Sequence, residues 1–242
     1  MDVNPDIFKA YDVRGLYPTE INETVARLIG RGFAAYLQAS TIGMSRDMRV
    51  SSPALASAFI DGVCEQGTDV IDYGMMGTDM LYFAVVHDDL GGGAQVTASH
   101  NPKQYNGIKM VRARALPLSG DAGIGDIRDM ITNGRLPPAA ARRGSISTRH
   151  VVPDYLEKVM SFIDPAAIKP FSVVLDAGSG MAGLTAPTVF ERLPCRTMKL
   201  CCDIDGTFPN HEANPLIEEN RQDITAEVIR QQADIGIAWD GD

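Results

Sequence analysis

The sequence predicts an α/β protein of two consecutive domains with mixed or mostly parallel sheets. Three observations carry this expectation. Helical and extended periodicities alternate along the chain, and 242 residues make one large domain or two of ordinary size. The stretch 133–144, with two prolines and no periodicity, reads as an inter-domain connection or a long surface loop.

Val25, Leu28, Ile29, Phe33, Tyr36 and Leu37 recur at helical spacing and predict an amphipathic helix over 22–38. A second helix starts with Ser52 as N-cap and Pro53 in the first helical position, and Gly67 can end it. Short extended runs at 41–44, 70–73, 94–97 and 108–112 flank these helices. With the domain boundary placed near 145–152, the domains are expected at 1–148 and 149–242. Beyond it come a strand at 171–175, a helix near 183–193, a strand at 197–202, a helix near 222–232 and a strand at 235–239.

Composition narrows the class of function. The 31 acidic side chains against 22 basic give a net charge of −9, which disfavours nucleic acid or an anionic membrane as partner. A small phosphorylated ligand in a locally basic pocket is still compatible with it. The N-terminus lacks a basic segment followed by an apolar run, and no stretch approaches the ~18 apolar residues of a membrane span, so the cytoplasm is the expected location. Cysteines at 64, 195, 201 and 202 form no C-x-x-C pair and read as reduced core thiols, with Cys201 and Cys202 as strand residues.

Three motifs compete for the chemistry. Gly178-Ser179-Gly180-Met181-Ala182-Gly183 comes directly after a predicted strand and has Asp203 after the next one, the outline of a dinucleotide fingerprint. Too little chain remains beyond it for the strands such a fold needs, so a tight strand-to-helix turn is the better reading. Asp203-Ile204-Asp205-Gly206-Thr207 resembles the aspartyl nucleophile motif of haloacid-dehalogenase phosphatases. The later strands that would carry the remaining groups do not fit in the 35 residues after Thr207. The third motif is Ala98-Ser99-His100-Asn101-Pro102, where a short strand runs into a loop that presents a serine beside His100, with Lys103 and Lys109 beyond. A serine hydroxyl needs a base or a cation to act as a nucleophile, and a phosphate on it needs cations around it. As spacing alone, this triplet is an ordinary turn.

The literal string gives it weight. Ala98–Pro102 with Tyr105-Asn106-Gly107-Ile108-Lys109 resembles the active-site loop of the α-D-phosphohexomutases, which include phosphomannomutase and phosphoglucomutase. Phe8-Lys9-Ala10-Tyr11-Asp12-Val13-Arg14-Gly15 resembles the family's N-terminal F-x-A-Y-D-x-R-G, and Ser45-Arg46-Asp47-Met48-Arg49-Val50-Ser51 its G-R-D-x-R-x-S, with Ser45 where glycine is usual. The segments 176–183 and 205–209 resemble parts of its second domain, which turns both rival motifs into structural turns. The run from Gly77 to Ala84 looks most like the bacterial phosphomannomutases, favouring mannose, with glucose left open.

The resemblance implies two three-layer α/β domains and a phosphotransfer cycle. Phosphorylated Ser99 gives its phosphoryl group to a hexose 1- or 6-phosphate, a bisphosphate forms, and the other phosphate returns to Ser99. Hexose 1,6-bisphosphate is the implied activator. Mg²⁺ is the implied cofactor, held by Ser99, Asp240 and Asp242 from the strand-end Asp240-Gly241-Asp242. Lys109 and His100 join Ser99 as catalytic residues, and Arg14 and Tyr11 contact substrate. The resemblance covers the first two of the family's four domains and stops before the third aspartate of the metal loop. Inefficient turnover by residues 1–242 alone is therefore expected, with surface normally covered by the other domains open to self-association. The alternative is a non-catalytic truncated remnant or interaction module of the same family.

Overall fold

The computed structural model describes residues 3–242, and the chain divides into two compact units. The first comprises residues up to 46, 50–98 and 104–151. The second comprises 47–49, 99–103 and 152–242.

In the first unit the sheet order is β1-β5-β4-β2-β3-β7, with the short β6 (Leu116–Pro117) on β5. β1 (Val13–Leu16), β5 (Tyr105–Arg112) and β4 (Gly92–Val96) are antiparallel neighbours. β2 (Thr41–Arg46), β3 (Asp69–Met75) and β7 (Ile146–Thr148) continue from β4 in parallel. The sheet is thus mixed and mostly parallel on one side, as the alternating pattern requires.

Strand alternation assigns the two faces. Ile42, Met44, Ala94, Val96, Ile108 and Met110 point into one core with α1 (Glu23–Leu37), α2 (Ser52–Glu65) and α4 (Ile124–Thr132). Their alternates face α3 (Thr78–His87), since a Cβ on Gly43 or Gly93 would meet the side chains of Leu81 or Val85. That makes three layers.

α1 begins where the sequence places it, because the Asn22 side chain accepts from Val25 N–H at 3.1 Å, and it ends on Gln38 in the left-handed conformation. α2 corrects the expected cap by one residue. Ser51 occupies the cap position, while Ser52 lies in the helix and its hydroxyl accepts from Asn106 Nδ2. α1 and α2 press together through backbone, since a Cβ on Gly62 would lie 2.0 Å from Arg27 O and one on Gly30 2.2 Å from Phe59 O. Gly62→Ala forces the helices apart across a packed core and is expected to cost about 3 kcal/mol, measured as a fall in denaturation midpoint at unchanged slope.

The 133–144 stretch is a surface loop of this unit. Ala140 and Gly144 N–H donate to Glu65 O and Cys64 O at 2.8 Å each, tying the loop to the end of α2. It leads into β7, where Asp69 accepts from Ser145 N–H at 2.7 Å and from Ser145 O–H at 2.9 Å. These bonds, the backbone one first, hold the Asp69 carboxyl below its ordinary value. A depressed folded value stabilises above the unfolded value and is lost as pH falls through the folded one. The stability gap between the wild type and Asp69→Asn is therefore expected at neutral pH and should close below about pH 4, read from melting temperatures across that range.

In the second unit β8 (Ser172–Asp176) lies between β9 (Arg196–Leu200) and β10 (Ile235–Ala238), all parallel. α5 (Val152–Met160), α6 (Ala182–Glu191) and α7 (Gln222–Gln231) complete it. β9 ends at Leu200, so Cys201 and Cys202 are not strand residues. Cys201 turns the chain with φ +46°. All four cysteines are free thiols, but only Cys64 is fully buried. Among the described residues, no helix is long and apolar enough to cross a membrane.

Candidate active site

The parallel sheet of the second unit brings its strand ends together. Ala238 of β10 pairs with Asp176 of β8, and Trp239 N–H donates to Asp176 O at 3.1 Å. The two loops beyond them, 177–181 and 239–242, are therefore neighbours at the carboxyl ends of the strands, where open α/β sheets place their ligands. Met181 N–H donates to Gly241 O at 3.1 Å, and a Cβ on Gly241 would come within 2.6 Å of Ser99 O. Only glycine between the two aspartates lets the serine loop approach this closely.

Ser99 is 5% exposed and adopts φ +53°, a conformation costing a non-glycine residue roughly 1–2 kcal/mol. Its hydroxyl donates to Asp240 Oδ2 at 2.8 Å. His100 Nδ1 lies 3.7 Å from the same oxygen. Asp242 belongs to the same short segment and is partly exposed. The loop residues Ser99 and His100 thus meet Asp240 directly.

Arg49 holds the loop in that shape. It is 1% exposed, and its Nη2 donates to Ser99 O at 2.8 Å and Asn101 O at 2.6 Å, while Nη1 donates to Pro102 O at 2.9 Å. Its Nε donates to Asp47 Oδ2 at 3.1 Å, and its guanidinium lies 5.3 Å from the Phe208 ring centroid. Sequence reasoning assigns Arg49 no role. The available signal is its place in Arg46-Asp47-Met48-Arg49, but convergence of three loop carbonyls on one guanidinium is invisible without coordinates.

The rival motifs are turns. Asp205 Oδ1 accepts from Thr207 N–H at 2.8 Å and from its hydroxyl at 2.7 Å, which lowers the carboxyl from its ordinary value, and Phe208 is delivered onto Arg49. In the glycine-rich segment, Gly178 and Ser179 both have positive φ, and Asp176 Oδ1 accepts from Gly178 N–H at 3.0 Å. Beside it, burial first and Asp176 second push the Cys201 thiol up to about 11.

The remaining predicted residues lie in the first unit. Arg14 pairs with Gly107 across β1 and β5, and Lys109 is two residues further along β5, so both side chains project from the sheet face opposite α1 and α2. Arg14 Nη2 is bound by Asp12 at 2.5 Å. Lys109 pairs in register with Gln95 of β4, whose side chain accepts from the Ser45 hydroxyl and donates to Met76 O. That contact gives the buried Ser45 hydroxyl its acceptor. Tyr11 is 76% exposed.

Residues 5–136 match the pattern described as Phosphoglucomutase/phosphomannomutase, alpha/beta/alpha domain I, and residues 153–242 match domain II of the same description. The chain belongs to the phosphoglucomutase/phosphomannomutase family. Similar proteins include the "Phosphohexose mutases" of Xanthomonas campestris pv. campestris strain B100, 43% identical over 97% of this chain and 52% of the relative. A "Phosphomannomutase" of Escherichia coli is 42% identical over 97% of this chain and 53% of its own. A crystal structure of a phosphoglucomutase/phosphomannomutase family protein from Burkholderia thailandensis superimposes with a TM-score of 0.90 at 36% identity, covering 100% of this chain and 54% of that one. The chain spans about half the length of the curated relatives it matches. Membership agrees with the phosphohexomutase resemblance carried by the serine loop, and with the α/β fold it implied.

Proposed function

We propose that this chain supplies the phosphate-carrying part of a phosphohexomutase, an isomerase that interconverts hexose 1- and 6-phosphates. The observation that carries this reading is the 2.8 Å contact between Ser99 Oγ and Asp240 Oδ2, made on a loop clamped by Arg49. In this reading residues 1–148 form the domain bearing the serine loop and 149–242 the domain bearing the aspartates. The substrate is a phosphorylated hexose in the cytoplasm, mannose being favoured, with no nucleic acid or membrane as partner.

The donor set suits Mg²⁺. Ser99 and Asp240 offer oxygen donors only, the ligand chemistry Mg²⁺ prefers. Asp240, Asp242 and an oxygen of the phosphorylated Ser99 would hold the ion. When bound, it offsets charge on the transferring phosphoryl group.

The chain's own residues do the rest. Ser99 accepts and returns the phosphoryl group, and the left-handed loop presents its hydroxyl at the aspartate. His100 donates to a phosphate oxygen. Arg14 and Lys109, on one sheet face, neutralise and orient the reacting phosphate and hydroxyl, with Lys109 moving the hydroxyl proton. Tyr11 meets substrate from its exposed position. Hexose 1,6-bisphosphate primes the serine.

The test is intact mass after incubation with hexose 1,6-bisphosphate and Mg²⁺. The expected result is one added phosphate, mapped to Ser99. Protein that stays unphosphorylated would overturn the reading in favour of a non-catalytic interaction module. Expressed as residues 1–242 alone, the chain should take up phosphate yet turn over hexose phosphate far more slowly than a relative of twice the length.

A further inference from the structure

A second cluster in the same unit lies outside the residues that the proposed phosphotransfer uses. His211 sits in the loop before α7 with each ring nitrogen against an acceptor. Nδ1 lies 3.0 Å from the backbone O of Glu212, and Nε2 lies 3.1 Å from Asp176 Oδ2. Neither partner brings a proton of its own. Two acceptors on one ring leave two arrangements, a hydrogen on both nitrogens, or a hydrogen on Nδ1 with a metal cation between the Nε2 lone pair and the carboxylate oxygen. Asp176 is 1% exposed, and its other oxygen already accepts from Gly178.

Cys201 supplies the third donor. Asp176, Cys201 and His211 each present one ligand atom, and the three lie within 4.8 Å of one another. The positive φ that ends β9 turns Cys201 toward this point, and it lines a cleft of about 450 Å³ with Asp203 and Asn210. A histidine fixed by a carbonyl on its far nitrogen and a carboxylate fixed by a backbone N–H are the supports that metal ligands receive.

We propose that Asp176 Oδ2, His211 Nε2 and Cys201 Sγ form a three-ligand site for a zinc-class divalent ion, at the edge of the cleft that Cys201 lines. The thiolate and imidazole donors separate it chemically from the all-oxygen site at Ser99 and Asp240, which suits Mg²⁺. Its ligands back the strand end that carries the aspartates, since Asp176 O accepts from Trp239. An ion here would brace β8 against the 201–213 segment.

Cobalt(II) added to the metal-free full chain tests this, because a thiolate ligand gives a near-ultraviolet charge-transfer band and a four-coordinate site gives intense visible bands. One equivalent should bind, be displaced by Zn²⁺ and be indifferent to excess Mg²⁺. Cys201→Ser should lose the charge-transfer band and Cys202→Ser should keep it, both with wild-type circular dichroism. His211→Gln should weaken binding about 10-fold or more. No saturable spectrum, or a band that survives Cys201→Ser, would overturn the site and leave an ordinary imidazolium–carboxylate pair. Neither result depends on whether Ser99 takes up phosphate.

Discussion

Ser99→Ala is expected to abolish phosphate uptake from hexose 1,6-bisphosphate while leaving the protein folded. The hydroxyl is the nucleophile in the proposed cycle and is held against Asp240 at 2.8 Å. Loss of a nucleophile costs on the order of 10³-fold or more in rate. The structural cost is small by comparison. Alanine gives up one hydrogen bond worth roughly 1 kcal/mol and adopts the same left-handed turn at a similar penalty. Intact mass and thermal melting together separate the two effects. Undiminished phosphate on the variant would remove Ser99 from the mechanism.

Arg49→Met is expected to be the most damaging single change to stability in the second unit. It removes the guanidinium from three carbonyls and from the Asp47 carboxylate, with the contacts to Asp47 and Ser99 O fully buried and those to Asn101 O and Pro102 O partly so. Breaking a buried pair by deleting one partner costs about 3–5 kcal/mol, because the other charge stays buried. For a protein of this size that is roughly a 10 °C fall in melting temperature. Methionine keeps the apolar contact with Phe208, so the loss isolates the polar clamp. Arg49→Lys should rescue little, since one ammonium cannot span the carbonyls of Ser99, Asn101 and Pro102. Limited proteolysis should then cut within 99–103. A variant that melts like the wild type would show that water or a loop shift replaces the clamp.

Much of the fold is legible because periodicity reports burial. The helical spacing of Val25, Ile29 and Phe33 places α1 to within a residue, and the short apolar runs mark β2, β3, β4, β5, β8 and β10. α3 is less legible. It is apolar nearly all round, so no polar face marks its period, and its run reads as a family signature instead. β7 is three exposed residues whose strand character comes wholly from pairing with β3. Cys201 looks like strand because its neighbours are apolar, whereas the backbone has already turned.

The α/β class, the family and the serine of the candidate site are all written in local pattern and literal motif, so one dimension suffices for them. That Ser99 meets Asp240, that Arg49 locks the loop, and that Asp176, Cys201 and His211 converge are properties of the folded chain only. The reason is physical. Contacts such as Ser99 with Asp240 join residues 141 positions apart on loops that follow strands of different sheets, so no local periodicity encodes them and only the folded chain brings them together.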